Sequence, residues 1–309
     1  MFFCARRFQL ADFQKVARLI QTRAPDIAVF VFETRAGVKP LLAAPWFMLR
    51  PTVSIELMDA RRRPRIFRGV RLRHSDRYDK MQEYRELDAY GLPVPKWTEI
   101  RPGAALNPDE WGPYVVVKPS RGKRGAFVRI ARTGRVRYRP TSEYAEDHPG
   151  RRGPMLAQRF IYTGRWPTSY RVCTYFGEPV CLLRYDGKRD QAPLDGADGF
   201  KASGGGLSIV ASAMGSRITL PDDSDILELA RRVHRVFPSI PSLGLDIVRE
   251  HGTGKLYLLE TNPEGLAWML TNSAGREIQS EFGLDFYSQF GALDLIANRS
   301  IEIAREYAR

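Results

Sequence analysis

Residues 244–265, GLDIVREHGTGKLYLLETNPEG, constrain this chain most. One carboxylate, Asp246, sits inside an apolar run (Leu243, Leu245, Ile247, Val248). A polar, Gly-rich turn at residues 251–254 follows, and a second apolar run, residues 256–259, ends in Glu260-Thr261-Asn262-Pro263. Two strand-like runs around such a turn predict a β-hairpin. Glu260 and Asn262 are two apart, so on a strand they point to one face. Two carboxylates and a carboxamide are hard oxygen ligands, the set that Mg²⁺ takes when it also carries nucleotide phosphates. Charges that interrupt buried strands are expensive unless they are used or paired.

The chain upstream supplies further parts in order. Asp79-Lys80-Met81-Gln82-Glu83-Tyr84 opens an amphipathic helix that runs to Tyr90 and stops at Gly91, before Leu92-Pro93-Val94-Pro95. Residues 114–119, YVVVKP, read as a β-branched strand with Lys118 near its end. The loop Ser120-Arg121-Gly122-Lys123-Arg124-Gly125 joins it to a second strand over 126–131. Glycines in such a loop let backbone N–H groups approach phosphate oxygens, and Lys118, Lys123 and Arg124 add charge there. This is not a Walker A loop, because the G-x-x-x-x-G-K-[ST] spacing is missing. Residues 155–161, MLAQRFI, read as another strand. Arg171 lies on a strand over 170–176, and Arg184 ends the next strand. Residues 186–203 form a long polar, Gly-rich loop, which suits a functional lid. Residues 222–237 have an acidic start, an apolar stripe and a stop at Pro238, and predict a helix leading into the hairpin, with His234 on its surface or boundary.

Taken in this order, residues 77–293 resemble the ATP-grasp superfamily. The resemblance is to its carboxylate–amine ligase type, similar to glutathione synthetase and the ribosomal-protein glutamate ligases. It implies an α/β (α+β) fold in which two α+β lobes clasp ATP behind a small α/β N-terminal domain. It implies that Asp246, Glu260 and Asn262 hold Mg²⁺, as two ions, with Mn²⁺ as a substitute. ATP would engage Lys80, Lys118, Ser120, Arg121, Gly122, Lys123, Arg124 and Gly125. The adenine would lie along the backbone of Gln158, Arg159, Phe160 and Ile161, where Arg159 replaces the family's usual acid. Arg171 and Arg184 match positions that reach the acceptor and the transferring phosphate, and Arg276 is a weaker match for gripping a carboxylate. Ser169 and residues 201–204 depart from the family pattern, and so does the ending Glu264-Gly265-Leu266-Ala267-Trp268. The resemblance implies activation of a carboxylate as an acyl phosphate, attack by an amine, and release of ADP and phosphate. The alternatives are a phosphotransferase of the same fold, or a non-catalytic nucleotide or nucleic-acid binder.

Composition fits an enzyme with large cores. The chain has 309 residues, no 18-residue apolar run and a basic surplus of 13 charges. The arginines of MFFCARRFQL follow the short apolar piece, the wrong order for a secretory signal. Cys4, Cys173 and Cys181 show no metal or redox spacing, and Cys173 and Cys181 fall on adjacent expected strands. A reduced, cytoplasmic protein is expected, with no membrane partner. The surplus is uneven: residues 1–80 hold 17 Lys/Arg against 7 Asp/Glu, and residues 81–309 hold 31 against 28. The densest part is Arg61, Arg62, Arg63, Arg65, Arg68, Arg71, Arg73 and Arg77, read either as a charged edge strand or as a docking face for an anionic substrate. Nucleic acid is not favoured there, since no binding module is present. Residues 12–22 predict a helix, and residues 27–33, 46–50, 53–57 and 65–72 predict strands. The domain boundary is expected near 75/76, with a lid lobe over about 112–165 hinged by a loop at 102–112.

Overall fold

The structure is a computed structural model. It describes residues 1–33, 52–57, 69–73, 79–122, 126–187, 189, 192–199, 216–263 and 268–307. The expected strand at 46–50, the arginines Arg61, Arg62, Arg63, Arg65, Arg68 and Arg77, and Lys123, Arg124 and Gly125 lie outside those residues.

Three sheets build the α/β architecture. The first holds β1 (Phe2–Ala5), β2 (Phe30–Glu33), β3 (Thr52–Glu56) and β4 (Gly69–Arg73), in the order β2-β1-β3-β4 and all parallel. Helix α1 (Leu10–Arg23) packs its Phe13, Val16 and Ile20 stripe beneath it. A second sheet, in the lobe expected as a lid and labelled the lid sheet for that expectation, holds β5 (Trp97–Glu99), β6 (Tyr114–Pro119), β7 (Arg129–Arg132) and β8 (Met155–Arg159), in the order β5-β8-β6-β7. Strand β7 starts later than the sequence predicts, because Phe127 takes a φ of 60° that no strand residue adopts. The expected loop at 102–112 contains a one-turn helix, α3 (Pro108–Trp111), after α2 (Lys80–Ala89). Asn107 caps α3, and Trp111 is buried.

The central sheet runs β11-β10-β9-β12-β13. Its strands are β9 (Thr168–Tyr175), β10 (Glu178–Asp186), β11 (Arg217–Thr219), β12 (Ser242–Arg249) and β13 (Leu256–Asn262). Strands β9 and β10 meet at Phe176-Gly177, where both φ values are positive (44° and 92°), the turn whose twist matches a hairpin. One face of the sheet (Tyr170, Val172, Leu182, Leu243, Leu245, Ile247, Leu258) packs on α2 and on α4 (Ser224–Arg235). The other face (Cys173, Tyr175, Cys181, Leu183, Tyr185) packs on α1, α5 (Ser273–Phe282) and α6 (Ala292–Tyr307), in one core with the first sheet. Burial on both faces explains why these strands read as continuous apolar runs and not as alternation. Cys173 and Cys181 are register partners with free thiols. No helix among the described residues is long and apolar enough to cross a membrane.

Two polar anchors hold this arrangement. Buried Asp12 accepts from Trp268 Nε1 (2.8 Å), the Thr271 hydroxyl (2.9 Å) and the Tyr287 hydroxyl (2.7 Å), tying α1 to the chain that follows β13. That chain presses on α5 so closely that a Cβ on Gly275 would sit 1.6 Å from the Met269 carbonyl oxygen. The second anchor is His234, which is buried and not at the surface. Its Nδ1 meets the Thr174 hydroxyl at 2.7 Å and its Nε2 meets the Ile240 carbonyl at 2.8 Å, which pins α4 to β9.

Burial lowers the His234 pKa from 6.5 to about 4, so the folded state favours the neutral ring. Its contribution is intact above pH 6.5 and is lost as pH falls toward 4. We expect this group to remove about 2 to 3 kcal/mol between pH 7 and pH 4.5. Urea unfolding at both pH values checks it. His234→Gln should lose that part of the pH dependence, and equal slopes in the two proteins would contradict the assignment.

Candidate active site

Strand register assembles the site. Asp246 on β12 stands opposite Glu260 on β13 and opposite Arg171 on β9, so three charged side chains form one row across three strands. A bulge beside Asp246 and Ile247 leaves Leu259 without a partner and sets the register of Glu260 and Asn262. Arg171 grips Asp246 with both arms of its fork, Nε to Oδ1 at 2.6 Å and Nη2 to Oδ2 at 2.9 Å. Asn262 donates through Nδ2 to Asp246 Oδ2 at 3.0 Å, which turns its own Oδ1 outward from the pair. Burial raises the Asp246 pKa and Glu260 adds to the rise, while Arg171 pulls it back. Burial also works against the Arg171 charge, but Asp246 outweighs it and the guanidinium pKa is raised.

Helix α2 approaches this row from the lid side. Asp79 caps it, accepting from the backbone of Met81 and Gln82. Lys80 Nζ lies 3.2 Å from the Gly122 carbonyl and 3.5 Å from Glu260 Oε2, so it bridges the glycine loop and the acidic strand. Lys118, on β6, is buried. Its Nζ donates to the Tyr84 hydroxyl at 2.6 Å and lies 3.5 Å from the Leu259 carbonyl, while the Tyr84 hydroxyl donates to that same carbonyl at 2.6 Å. Burial lowers the Lys118 pKa to about 8, against the pull of Glu260.

Two residues here escaped the sequence reading. Glu83 is buried and accepts the Thr261 backbone N–H at 2.5 Å, between Glu260 and Asn262. Burial pushes its pKa up to about 8, opposed by its bonds to Thr261. Tyr84 is the other. The signal was present: Glu83 lies four residues before buried Leu87, so a carboxylate occupies the apolar stripe of α2.

The remaining expected residues divide. Ser120 is buried, and Arg121 and Gly122 are exposed at the loop. Gln158 is buried inside the lid sheet between Trp97 and Val116. Arg159 donates its backbone N–H to the Lys96 carbonyl at 2.7 Å, so that donor is taken and does not face an adenine. The Arg159 side chain pairs with Glu250 and stacks over Tyr257. Ile161 joins Val248, Tyr257 and Leu259 in a small apolar cluster beyond the charged row. Arg184 is not brought to the row. Its register partner is Tyr170, whereas Arg171 faces Leu183, so alternation turns Arg184 to the opposite face, where it pairs with Asp186 at 2.9 Å. The fit to a hard cation rests on Asp246, Glu260 and Asn262. Among the described residues no group of three or more His, Cys, Asp or Glu is placed to hold a metal ion; the set here is two carboxylates and a carboxamide.

No protein-family model matches the sequence, and no curated protein matches it. Solved structures do match. The ATP-grasp ligase PsnB, complexed with a phosphomimetic variant of minimal precursor, Mg and ADP, aligns at TM-score 0.52 and 14% identity, over 97% of this chain and 98% of that one. PsnB with precursor peptide PsnA2 and AMPPNP aligns at TM-score 0.50 and 15% identity, over 98% of each chain. This chain has the ATP-grasp fold. The D-cycloserine synthetase DcsG aligns at TM-score 0.48 and 15% identity, over 91% of this chain and 98% of that one. Within the ATP-grasp fold the charged row lies on the central sheet, and Lys118 enters from the lid sheet.

Tyr84→Phe tests the lid contact. It removes the acceptor of buried Lys118 and one donor to the Leu259 carbonyl. It should cost about 1 to 3 kcal/mol of stability, measured by urea unfolding. A loss well below that range would mean the hydroxyl is not holding the two sheets together.

Proposed function

We propose that this chain is an ATP-dependent carboxylate–amine ligase that forms an amide bond through an acyl phosphate and releases ADP and phosphate. The observation that carries the reading is the row Glu260–Asp246–Arg171 with Asn262 beside it, faced by Lys80 and Lys118. Mg²⁺ and ATP fit the donor chemistry: two carboxylates and a carboxamide oxygen for the ion, cationic side chains and a glycine loop for the phosphates. When bound, ATP supplies the phosphoryl group, and Mg²⁺ neutralises the charge on its oxygens.

The chain's own residues do the rest. Glu260 is a third exposed, and its one ion-pair partner among the described residues is Lys80 at 3.5 Å, so its carboxylate is open to a cation. Asp246 is held in place by Arg171 and Asn262 before any ion arrives. Arg171 stays charged next to the developing negative charge. Lys118 and Lys80 hold phosphate oxygens, and the Ser120–Gly122 backbone covers them. The Ile161, Val248, Tyr257 and Leu259 cluster offers an apolar surface for the adenine. No Ser/His or Cys/His pair is required, because the substrate carboxylate is the nucleophile toward phosphorus. In this reading residues 1–75 form an N-terminal domain that helps hold the acceptor, and residues 76–309 form the ATP-grasp domain. Both substrates, an acid such as an amino acid, peptide or protein carboxylate and an amine, belong to the same proposal, as does a cytoplasmic location.

The test is release of ADP and phosphate with Mg²⁺ and pools of acids, with and without amines. Phosphate release that requires both an acid and an amine supports a ligase. A stable phosphorylated product formed without amine would make the chain a phosphotransferase instead. Glu260→Ala should lower turnover by about 100-fold or more while leaving the protein folded, because it removes several kcal/mol of charge stabilisation from the reacting phosphate. Near-normal turnover in that variant would end the assignment of this row.

A further inference from the structure

Strand β13 carries Glu260 and Asn262, and it is the last strand of its sheet. Strand β12 pairs with one side of it, and among the described residues no strand pairs with the other. An open edge leaves backbone groups without partners. Here residues 83–93 cover that edge point by point. The Leu258 N–H donates to the Pro93 carbonyl at 2.8 Å, the Leu259 carbonyl accepts the Tyr84 hydroxyl at 2.6 Å, and the Thr261 N–H donates to Glu83 at 2.5 Å. Two side chains of α2 thus stand where a neighbouring strand would otherwise lie.

The Glu83 contact differs from the other two in where it falls. Thr261 lies between Glu260 and Asn262, and its hydroxyl also donates to the Glu83 carboxyl. One side chain therefore holds two groups of a single residue. One bond would fix the position of Thr261. Two also fix its rotation about the strand axis, and that rotation sets the direction in which the flanking side chains leave the strand. The bulge makes this control necessary, because Leu259, immediately before Glu260, has no register partner on β12. Both Glu83 and Thr261 are buried, so water does not compete for these bonds. Packing alone gives no reason for an acid here. Helix α2 already meets the core through Met81, Tyr84 and Leu87, and a carboxyl set among them is costly unless it is used.

We propose that Glu83 is a positioning residue for the cation: by clamping Thr261 it sets the spacing and direction of the Glu260 carboxylate and the Asn262 carboxamide on either side. It acts through Thr261 and is not itself a ligand. The role is geometric, since what matters is the reach of the side chain and its two contacts, not a full negative charge. Ligand groups must be held to within a fraction of an ångström to bind an ion well, and the residues that hold them contribute nearly as much as the ligands. The proposal deepens the ligase reading and rests on it for the identity of the ligands.

The test measures binding of a fluorescent ADP to the full chain with and without saturating Mn²⁺. The ratio of the two affinities reads the contribution of the ion apart from that of the nucleotide. Glu83→Gln keeps the length, and its amide accepts from the Thr261 N–H and donates to the Thr261 hydroxyl, so the ratio should match the wild type. Glu83→Asp keeps the acid but falls one methylene short of Thr261, and the ratio should drop about tenfold, the usual effect of losing a group that orients a metal ligand. Thr261→Val exchanges the hydroxyl for a methyl of the same size and should lower the ratio by less, which gives the same reading if the aspartate variant does not fold. ADP affinity without Mn²⁺ should be equal in all of them. The opposite order, with aspartate retained and glutamine weakened, means that charge attracts the ion and overturns the geometric role. Lowered urea midpoints with unchanged ratios overturn it too, since Glu83 then holds only the fold. If Glu260→Ala keeps the wild-type ratio, the metal row falls and takes this proposal with it. If Glu260→Ala loses the effect of Mn²⁺ while the Glu83 and Thr261 variants keep it, the row stands and only the positioning role falls.

Discussion

The fork of Arg171 around Asp246 is the interaction on which the site depends. It joins β9 to β12 at a row where the sheet carries charge instead of apolar side chains. A carboxylate set into a buried sheet costs several kcal/mol unless it is paired, and a single-armed partner would leave lone pairs unmet. Here the guanidinium takes both oxygens and Asn262 takes a third contact. The pair thus permits a charged row inside a sheet whose other positions pack tightly on both faces. On the proposed reading it also sets the order of events. Asp246 is preorganised, and Glu260, held loosely by Lys80, is the ligand free to respond to an arriving cation.

Helix α2 couples that row to the lid. Within five residues it supplies Lys80 to Glu260 and Gly122, Glu83 to the Thr261 backbone, and Tyr84 to Lys118 and the Leu259 carbonyl. The contacts land on β13, on β6 and on the loop after β6, so α2 ties the acidic strand to the lid sheet. Burial raises the Glu83 pKa to about 8 and lowers the Lys118 pKa to about 8, and each feels the charge of Glu260. Burial thus favours the neutral forms of both groups, beside a Glu260 that stays a third exposed.

Much of this was legible in the sequence, for definite reasons. The hairpin, α2, α4, β6, β9 and β10 were readable because apolar runs, caps and turns are local signals. The same-face placement of Glu260 and Asn262 followed from alternation alone. Arg171 beside Asp246 could not be read, since it depends on the pairing of strands 75 residues apart. The β9–β10 hairpin register turned Arg184 to the other face, although its position at a strand end matched the expectation as well as Arg171 did. His234 looked like a surface residue because α4 is amphipathic. Its burial comes from Thr174 and Ile240, neither predictable from the helix.

A crystal structure with Mn²⁺ and a non-hydrolysable ATP analogue tests the central claim most directly, because anomalous scattering locates the ion without assumption. The account predicts a Mn²⁺ peak within about 2.0 to 2.3 Å of oxygens from Glu260, Asp246 and Asn262, the range for a hard cation on oxygen ligands. It predicts phosphates between that ion and Lys80 and Lys118, with the adenine against Ile161, Val248 and Leu259. An ion and nucleotide bound elsewhere, or an undisturbed charged row at saturating nucleotide and metal, would contradict it.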